Sequence, residues 1–204
     1  MVRSVGGAGD DAELVRRLQA GDEAAFVEVV ERYHRPLLRL ALSFVPSRAV
    51  AEEVVQDTWL GVIRGIDRFE GRSSLATWLF RIVTNRARTT GVRESRTTAV
   101  DLTDERSVPA ELFQSDGSWA HPPQPWTETV EDRLVAEQAA PHVRDCLDAL
   151  PDSQRRVVTM RDVEGLTAEE VCEVLGVTAV NQRVLLHRGR ARVRGCLSEK
   201  IGEV

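Results

Sequence analysis

The sequence predicts an all-α protein: two small helical domains joined by a flexible linker. Three observations predict it. Apolar residues recur at three- and four-residue spacing through most of the chain. The strict alternation of a half-buried strand is almost absent. One central stretch, acidic and containing SDGSWAHPPQPW, has no periodicity at all. At 204 residues the chain has room for two domains of about 100 residues. The reading is a domain at 10–96, a linker at 97–129 and a second domain at 130–200.

The elements follow in order. A first helix runs from about Asp11 to Ala20, with Leu14, Val15 and Leu18 on one face, and Gly21-Asp22 breaks it and caps the next. The second extends from about Glu23 to Val45, and Pro36 inside it predicts a kink or break. A third spans about Arg48 to Ile66 and uses Val50, Val54, Val55, Leu60, Val62 and Ile63 as its apolar set. Asp67 to Ser74 is a polar loop, and a fourth helix begins near Ser74 with Leu75, Trp78, Leu79, Ile82 and Val83. Trp119 and Trp126, unusual in a linker, either clasp the chain itself or dock on a partner. Helices resume near Val130, and Pro151-Asp152 opens another with Val157, Val158 and Met160.

Composition narrows the function. No apolar run approaches the ~18–20 residues that cross a bilayer, and the opening MVRSVGGAGDDAEL has no signal-peptide core. The expectation is a cytoplasmic protein without membrane insertion. Cys146, Cys172 and Cys196 form no CxxC pair and read as small apolar fillers in a reducing compartment, so no disulfide is expected. His34, His121, His142 and His187 do not complete a zinc set, which needs about four close ligands; no metal or cofactor is expected. Ser-His-Asp and P-loop patterns are lacking, and the chain does not read as an enzyme. The net charge of −5 divides unevenly: +2 over 1–96, −5 over 97–128 and −2 over 129–204. Two stretches are locally basic, Arg81 to Arg96 and Arg183 to Arg194, and local field matters more than the total for nucleic acid.

Residues 166–194 carry the most information. Thr167 and Glu170 form a T-x-x-E capping box, Gly176 is a left-handed stop, and Thr178 is a second N-cap before a longer basic helix reaching about Leu197. A short helix, a glycine turn and a basic helix make a helix-turn-helix. Spacing puts Leu186, Gly189 and Val193 on a buried face, and lines up Arg183, His187, Arg190 and Arg194 as a cationic stripe. Thr178, Ala179, Asn181, Gln182 and Arg183, at the start of the helix, would reach base edges; the later arginines, Arg188, Arg190 and Arg194, would pair with phosphates.

The run LPDSQRRVVTMRDVEGLTAEEVCEVLGVTAVNQRVLLHRGRARVR resembles the promoter-binding fourth domain of sigma-70 family factors, and AEEVVQDTWLGVIRGIDRFEGRSSLATWLFRIVTNRAR resembles the second domain of their extracytoplasmic-function group. The resemblance covers about 11–96 and 130–198. It implies a transcription initiation factor whose partners are core RNA polymerase, through the beta-prime clamp and the beta flap, and promoter DNA. Members of the group often have an anti-sigma factor, so the resemblance implies that partner too. It further implies that Gln56, Asp57 and Trp59 dock on the polymerase clamp. Phe69, Glu70, Gly71, Arg72, Ser73 and Ser74 would capture an unstacked base of the minus-10 element. Asn85, Arg86 and Arg88 would follow the strand backbone, and the helix-turn-helix would read the minus-35 element. Trp78 and Phe80 could stack on bases, although the spacing of Trp78 favours core. Where many members have a Thr-Val-Lys-Ser-Arg-like run, this chain has Asn181-Gln182-Arg183-Val184-Leu185, so no minus-35 sequence transfers with the family.

The alternative is a stand-alone helix-turn-helix regulator that binds a palindrome as a dimer. Two domains on an acidic tether are further expected to pack face to face in the free protein, masking the basic helix around Arg183.

Overall fold

The computed structural model describes residues 8–95 and 141–202, which are helical with no strand among them. The expected linker, with Trp119 and Trp126, lies outside the described residues. The first half is α1 (Ala8–Gln19), α2 (Glu23–Leu42), α3 (Arg48–Gly65), a single 3-10 turn (Ile66–Arg68) and α4 (Leu75–Ser95). The second half has α5 (within 141–148), α6 (Asp152–Val158) running into a π turn (Thr159–Val163), α7 (Ala168–Leu175) and α8 (Ala179–Gly202).

Local chemistry sets the boundaries. Gly21 ends α1 at φ 77°, a conformation that costs glycine nothing. Asp22 then caps α2 by accepting from the Ala24 and Ala25 N–H groups, and Arg17 Nε holds the same carboxylate at 2.8 Å. That pairing keeps the Asp22 carboxyl below its ordinary value, with the Arg17 hydrogen bond the largest cause. Ser47 caps α3 and Ser74 caps α4, the latter accepting from Thr77 N at 3.1 Å. α2 continues through Pro36 instead of breaking there. A proline removes one backbone hydrogen bond, and the burial of Tyr33, Leu37, Leu40 and Ala41 along the same helix outweighs that loss.

The first-half core is the inner stripes of α2, α3 and α4: Val29, Tyr33, Leu37, Val55, Leu79, Phe80 and Val83 are almost fully buried. Phe80 therefore cannot stack on a base, and Trp78 is half-buried against Phe69 with ring centroids 5.0 Å apart. α1 lies across one end. Its Gln19 Nε2 donates to the carbonyls of Ile66 and Phe69, both at 3.0 Å, and so fixes the start of the polar loop.

In the second half α6 crosses α8 at Gly189. A Cβ there would lie 2.4 Å from Val158 Cγ2, so only glycine admits the approach. Cys146 and Cys196 form a disulfide that ties α5 to α8. This corrects the reading of the cysteines as fillers. They are 50 residues apart in sequence, and only the antiparallel return of α8 beneath α5 brings their Cα atoms to 5.8 Å. Cys172 is free and half-buried.

Gly189→Ala tests the close approach. Helix propensity alone would make alanine stabilising by about 1 kcal/mol. Overpacking against Val158, 4% exposed, costs about 1–3 kcal/mol and should outweigh that gain. The urea midpoint should fall; a midpoint that rises would show that the crossing is looser than this.

Candidate nucleic-acid interface

Both halves of the capping box are made: Thr167 Oγ1 accepts from Glu170 N, and Glu170 Oε2 accepts from Thr167 N at 2.8 Å. Gly176 closes α7 at φ 66°, and Thr178 Oγ1 accepts from Asn181 N at 3.2 Å to open α8. The helix-turn-helix is therefore built on the residues expected. Its helix start presents Thr178, Ala179, Asn181 and Arg183 as exposed side chains.

Two expected readers are not on that surface. Gln182 is 1% exposed, on the seam with Gly189 that packs on α6, and so it cannot reach a base edge. His187 is 6% exposed. Burial, then the charges of Arg194, Arg188 and Arg190, push its imidazole below the ordinary value. Arg190 is tied to Asp162 through both Nε and Nη2, at 2.9 and 2.5 Å. Arg188 is half-buried and Arg194 exposed.

On the first half, the loop after α3 borders a pocket of about 240 Å³ lined by Arg68, Phe69, Glu70, Arg72, Ser73, Trp78 and Arg81. Two aromatic rings and three arginines are thus among its lining, and Gly71 turns the loop at φ 68°. Asn85 and Arg88 are exposed on α4. Arg86 turns the other way, pairing with Asp57 at 3.5 Å and resting on Gly61, where a Cβ would come within 2.7 Å of the guanidinium.

The outer face of α3 carries Gln56 and Asp57, both exposed. Trp59 is not beside them. It is 9% exposed, edge-on to Phe26 at 5.9 Å, with its indole N–H on His34 Nδ1 at 3.4 Å. The apolar residues that do share the outer face are Leu60 and Ile63, 50% and 53% exposed, which the sequence reading assigned to the core. Their two residue types carry no signal of exposure. Only their three-residue step from Asp57 and from each other separates them from Val55, Thr58 and Val62, which are buried.

The two halves touch along α4 and α7. Glu170 Oε1 accepts from Ser74 Oγ and Thr77 Oγ1, both at 2.6 Å. Burial raises the Glu170 carboxyl, but the hydroxyls of Ser74 and Thr77 and the Thr167 N-cap together hold it below the ordinary value. Arg39 reaches the buried Glu164 at 2.6 Å, Arg81 pairs with Glu173 at 2.6 Å, and Arg88 donates to the Leu175 carbonyl. Burial raises the Glu164 carboxyl against the opposing pull of Arg39. The free chain is thus closed, as expected, but the covered surface differs. Arg183 stays exposed, while Ser74, Arg81 and Arg88 of the first half are engaged by α7.

Two family models match the chain, Sigma-70 region 2 over residues 29–97 and Sigma-70 region 4 over residues 142–193. The ECF RNA polymerase sigma-E factors of Escherichia coli K12 and Salmonella typhimurium LT2 are each 31% identical over 183 residues, 90% of this chain and 92% of theirs. The chain belongs to the extracytoplasmic-function sigma factors of the sigma-70 family. The RNA polymerase sigma-H factor of Pseudomonas aeruginosa is 30% identical over 194 residues, 95% of this sigma factor and 96% of that one. The fold is also that of CnrH, solved with the cytosolic domain of CnrY, at TM-score 0.56 and 22% identity over 95% of this chain and 99% of that one. A sigma factor RpoE from Bartonella quintana, solved with the anti-sigma factor NepR, has the same TM-score and identity over 85% and 96%. A match that spans both halves in order does not favour a stand-alone dimeric regulator.

Arg39→Glu tests the closed arrangement of this sigma factor. Arg39 is 46% exposed, so the first-half core is untouched, yet the new carboxylate faces Glu164, 5% exposed. Discounted for solvent, the change is worth about 1–2 kcal/mol, a roughly 5- to 30-fold shift toward open forms. Small-angle scattering should show a larger radius of gyration; an unchanged radius would show that this pair does not hold the halves together.

Proposed function

We propose that residues 10–96 act as the second sigma domain and 130–200 as the fourth, with 97–129 as the tether. In this reading the outer face of α3 docks on the clamp of core RNA polymerase. Gln56 and Asp57 form the polar part, Leu60 and Ile63 are the apolar anchors, and Arg86 holds Asp57 in place. Trp59 supports this face from behind rather than touching the partner. A hot spot of apolar anchors ringed by polar groups fits such an interface.

The observation that carries the reading is the pairing of two surfaces in one chain. One is a helix-turn-helix with an exposed, capped recognition helix. The other is a pocket of about 240 Å³ on the opposite half, lined by Phe69 and Trp78 together with Arg68, Arg72 and Arg81. Duplex DNA at the minus-35 element suits the first. An unstacked base of the minus-10 element suits the second, with Phe69, Glu70, Gly71, Arg72, Ser73 and Ser74 around it and Asn85 and Arg88 along the strand. Capture of that base favours the opened strand, which is how the factor would promote promoter opening. The same reading gives it no chemistry of its own and places it in the cytoplasm with the polymerase. Among the described residues no helix is long and apolar enough to cross a membrane.

The closed form bears on regulation. Ser74 and Arg88 are engaged by α7, so the free factor would bind minus-10 DNA poorly until core polymerase separates the halves. Two relatives of this fold were solved with partners, CnrH with CnrY and a Bartonella sigma factor with the anti-sigma factor NepR. An anti-sigma factor is the corresponding partner here.

Two outcomes are expected. Leu60→Asp and Ile63→Asp should each weaken binding to core polymerase about 30-fold, the loss of about 2 kcal/mol usual for an anchor. Circular dichroism should remain unchanged, because both side chains are half exposed. Competition against the wild-type factor for core enzyme measures this, and equal competition would remove α3 from the interface. Arg183→Ala should alter base preference at minus-35 in a promoter library, since a good base contact discriminates by ~1–3 kcal/mol. Gln182→Met should leave that preference intact. The reverse pattern would mean that α8 faces DNA with its other side.

A further inference from the structure

The exposed start of α8 carries two apolar side chains that neither the fold nor the reading above uses. Val180 is 69% exposed and Val184 is 40% exposed. Four residues apart, they lie one above the other on one helix face. At 100° per residue that face points away from the seam of Gln182, Leu186, Gly189 and Val193 that packs against α6. The pair therefore sits at the centre of the outward surface, with Arg183 on one flank and Asn181 on the other. The open stretch ends at His187, which is closed to solvent. Valine has no propensity advantage in a helix and gains nothing from facing water.

We propose that Val180 and Val184 read thymine in the minus-35 element by packing on its C5-methyl group. The major groove presents that methyl as its one apolar feature, and small aliphatic side chains are its natural contact. The two valines are about 6 Å apart along the helix axis, a distance that spans two base-pair steps of about 3.4 Å. Arg183 and Asn181 supply hydrogen bonds to neighbouring base edges. The outward face is thus an apolar centre between polar flanks, which fits a groove floor with at least one thymine. This inference rests on the assignment of α8 to the minus-35 element.

The test uses full-length factor in holoenzyme. A minus-35 element is first selected from a randomised library. Each thymine in it, on either strand, is then replaced by deoxyuridine, which lacks the methyl and keeps every hydrogen-bonding group. Deoxyuridine at one or two positions should weaken promoter binding by the wild-type holoenzyme about fourfold per methyl lost. With Val180→Ser or Val184→Ser the loss should vanish at the position that each valine faces. The inference is overturned if no deoxyuridine has an effect, or if the effect persists unchanged in both variants. It is also overturned if the serine variants keep their sensitivity to thymine methyls and instead lose affinity for a protein partner, which would make this face a protein surface. If the wild-type holoenzyme selects no minus-35 element at all, the assignment of α8 falls first, and the thymine reading with it.

Discussion

One carboxylate joins the two halves of this sigma factor. Glu170 spends its two oxygens in opposite directions. Oε2 closes the capping box that starts α7, and Oε1 accepts from Ser74 and Thr77 at the start of α4. The helix-turn-helix and the start of α4 are thereby linked by a single side chain. Three hydroxyl and N–H donors compensate it for partial burial, which is why its carboxyl stays below the ordinary value although burial alone would raise it. Two further contacts lie along the same pair of helices. Arg81 meets Glu173 one turn along α7, and Arg88 meets the carbonyl end of the same helix, where a cation complements the helix dipole.

These contacts are suited to being broken. Arg39, Arg81 and Glu173 are each close to half exposed, and exposed pairs contribute little individually. Arg156 is the exception. It lies 3.7 Å from the Phe44 ring centroid and donates to the Ser43 carbonyl. Burial lowers its guanidinium to about 10, still charged at neutral pH. In the proposed reading, a closed state held by several modest polar pairs would give way to a large interface with core polymerase. Of the residues that opening would release, Arg81 lines the pocket beside the loop, Ser74 ends that loop and Arg88 lies further along α4. In the proposed reading, holding the halves together and binding the minus-10 element would draw on some of the same side chains.

Much of this was legible in the sequence because it is local. The capping box, Gly176, Thr178 and the Asp22 cap are short-range hydrogen-bond chemistry, and the structure contains each of them. What was not legible depends on which of two apolar stripes packs inward. On α3 the spacing placed Leu60 and Ile63 in the core with Val55 and Val62, and the family resemblance placed Trp59 at the docking surface; the structure exposes the first two and buries Trp59. On α8 the spacing of Arg183, His187, Arg190 and Arg194 sets them along one line of the helix. Burial of His187 within it, and of Gln182 on the opposite seam, needed the packing partners. The Cys146–Cys196 bridge and the Arg39–Glu164 pair are long-range, 50 and 125 residues apart, and no pattern within a single chain segment encodes them.

The central claim is that the free factor is closed along α4 and α7 and that core polymerase opens it. Single-molecule energy transfer between dyes carried by encoded amino acids at Arg48 and Glu199, both exposed, measures this directly. Neither label depends on the cysteines or lies on the proposed DNA surfaces. The free protein should give one population of fixed transfer efficiency, and addition of core enzyme should move it to a different, separated value. The same efficiency with and without core polymerase, or a broad distribution in the free protein, would contradict the account.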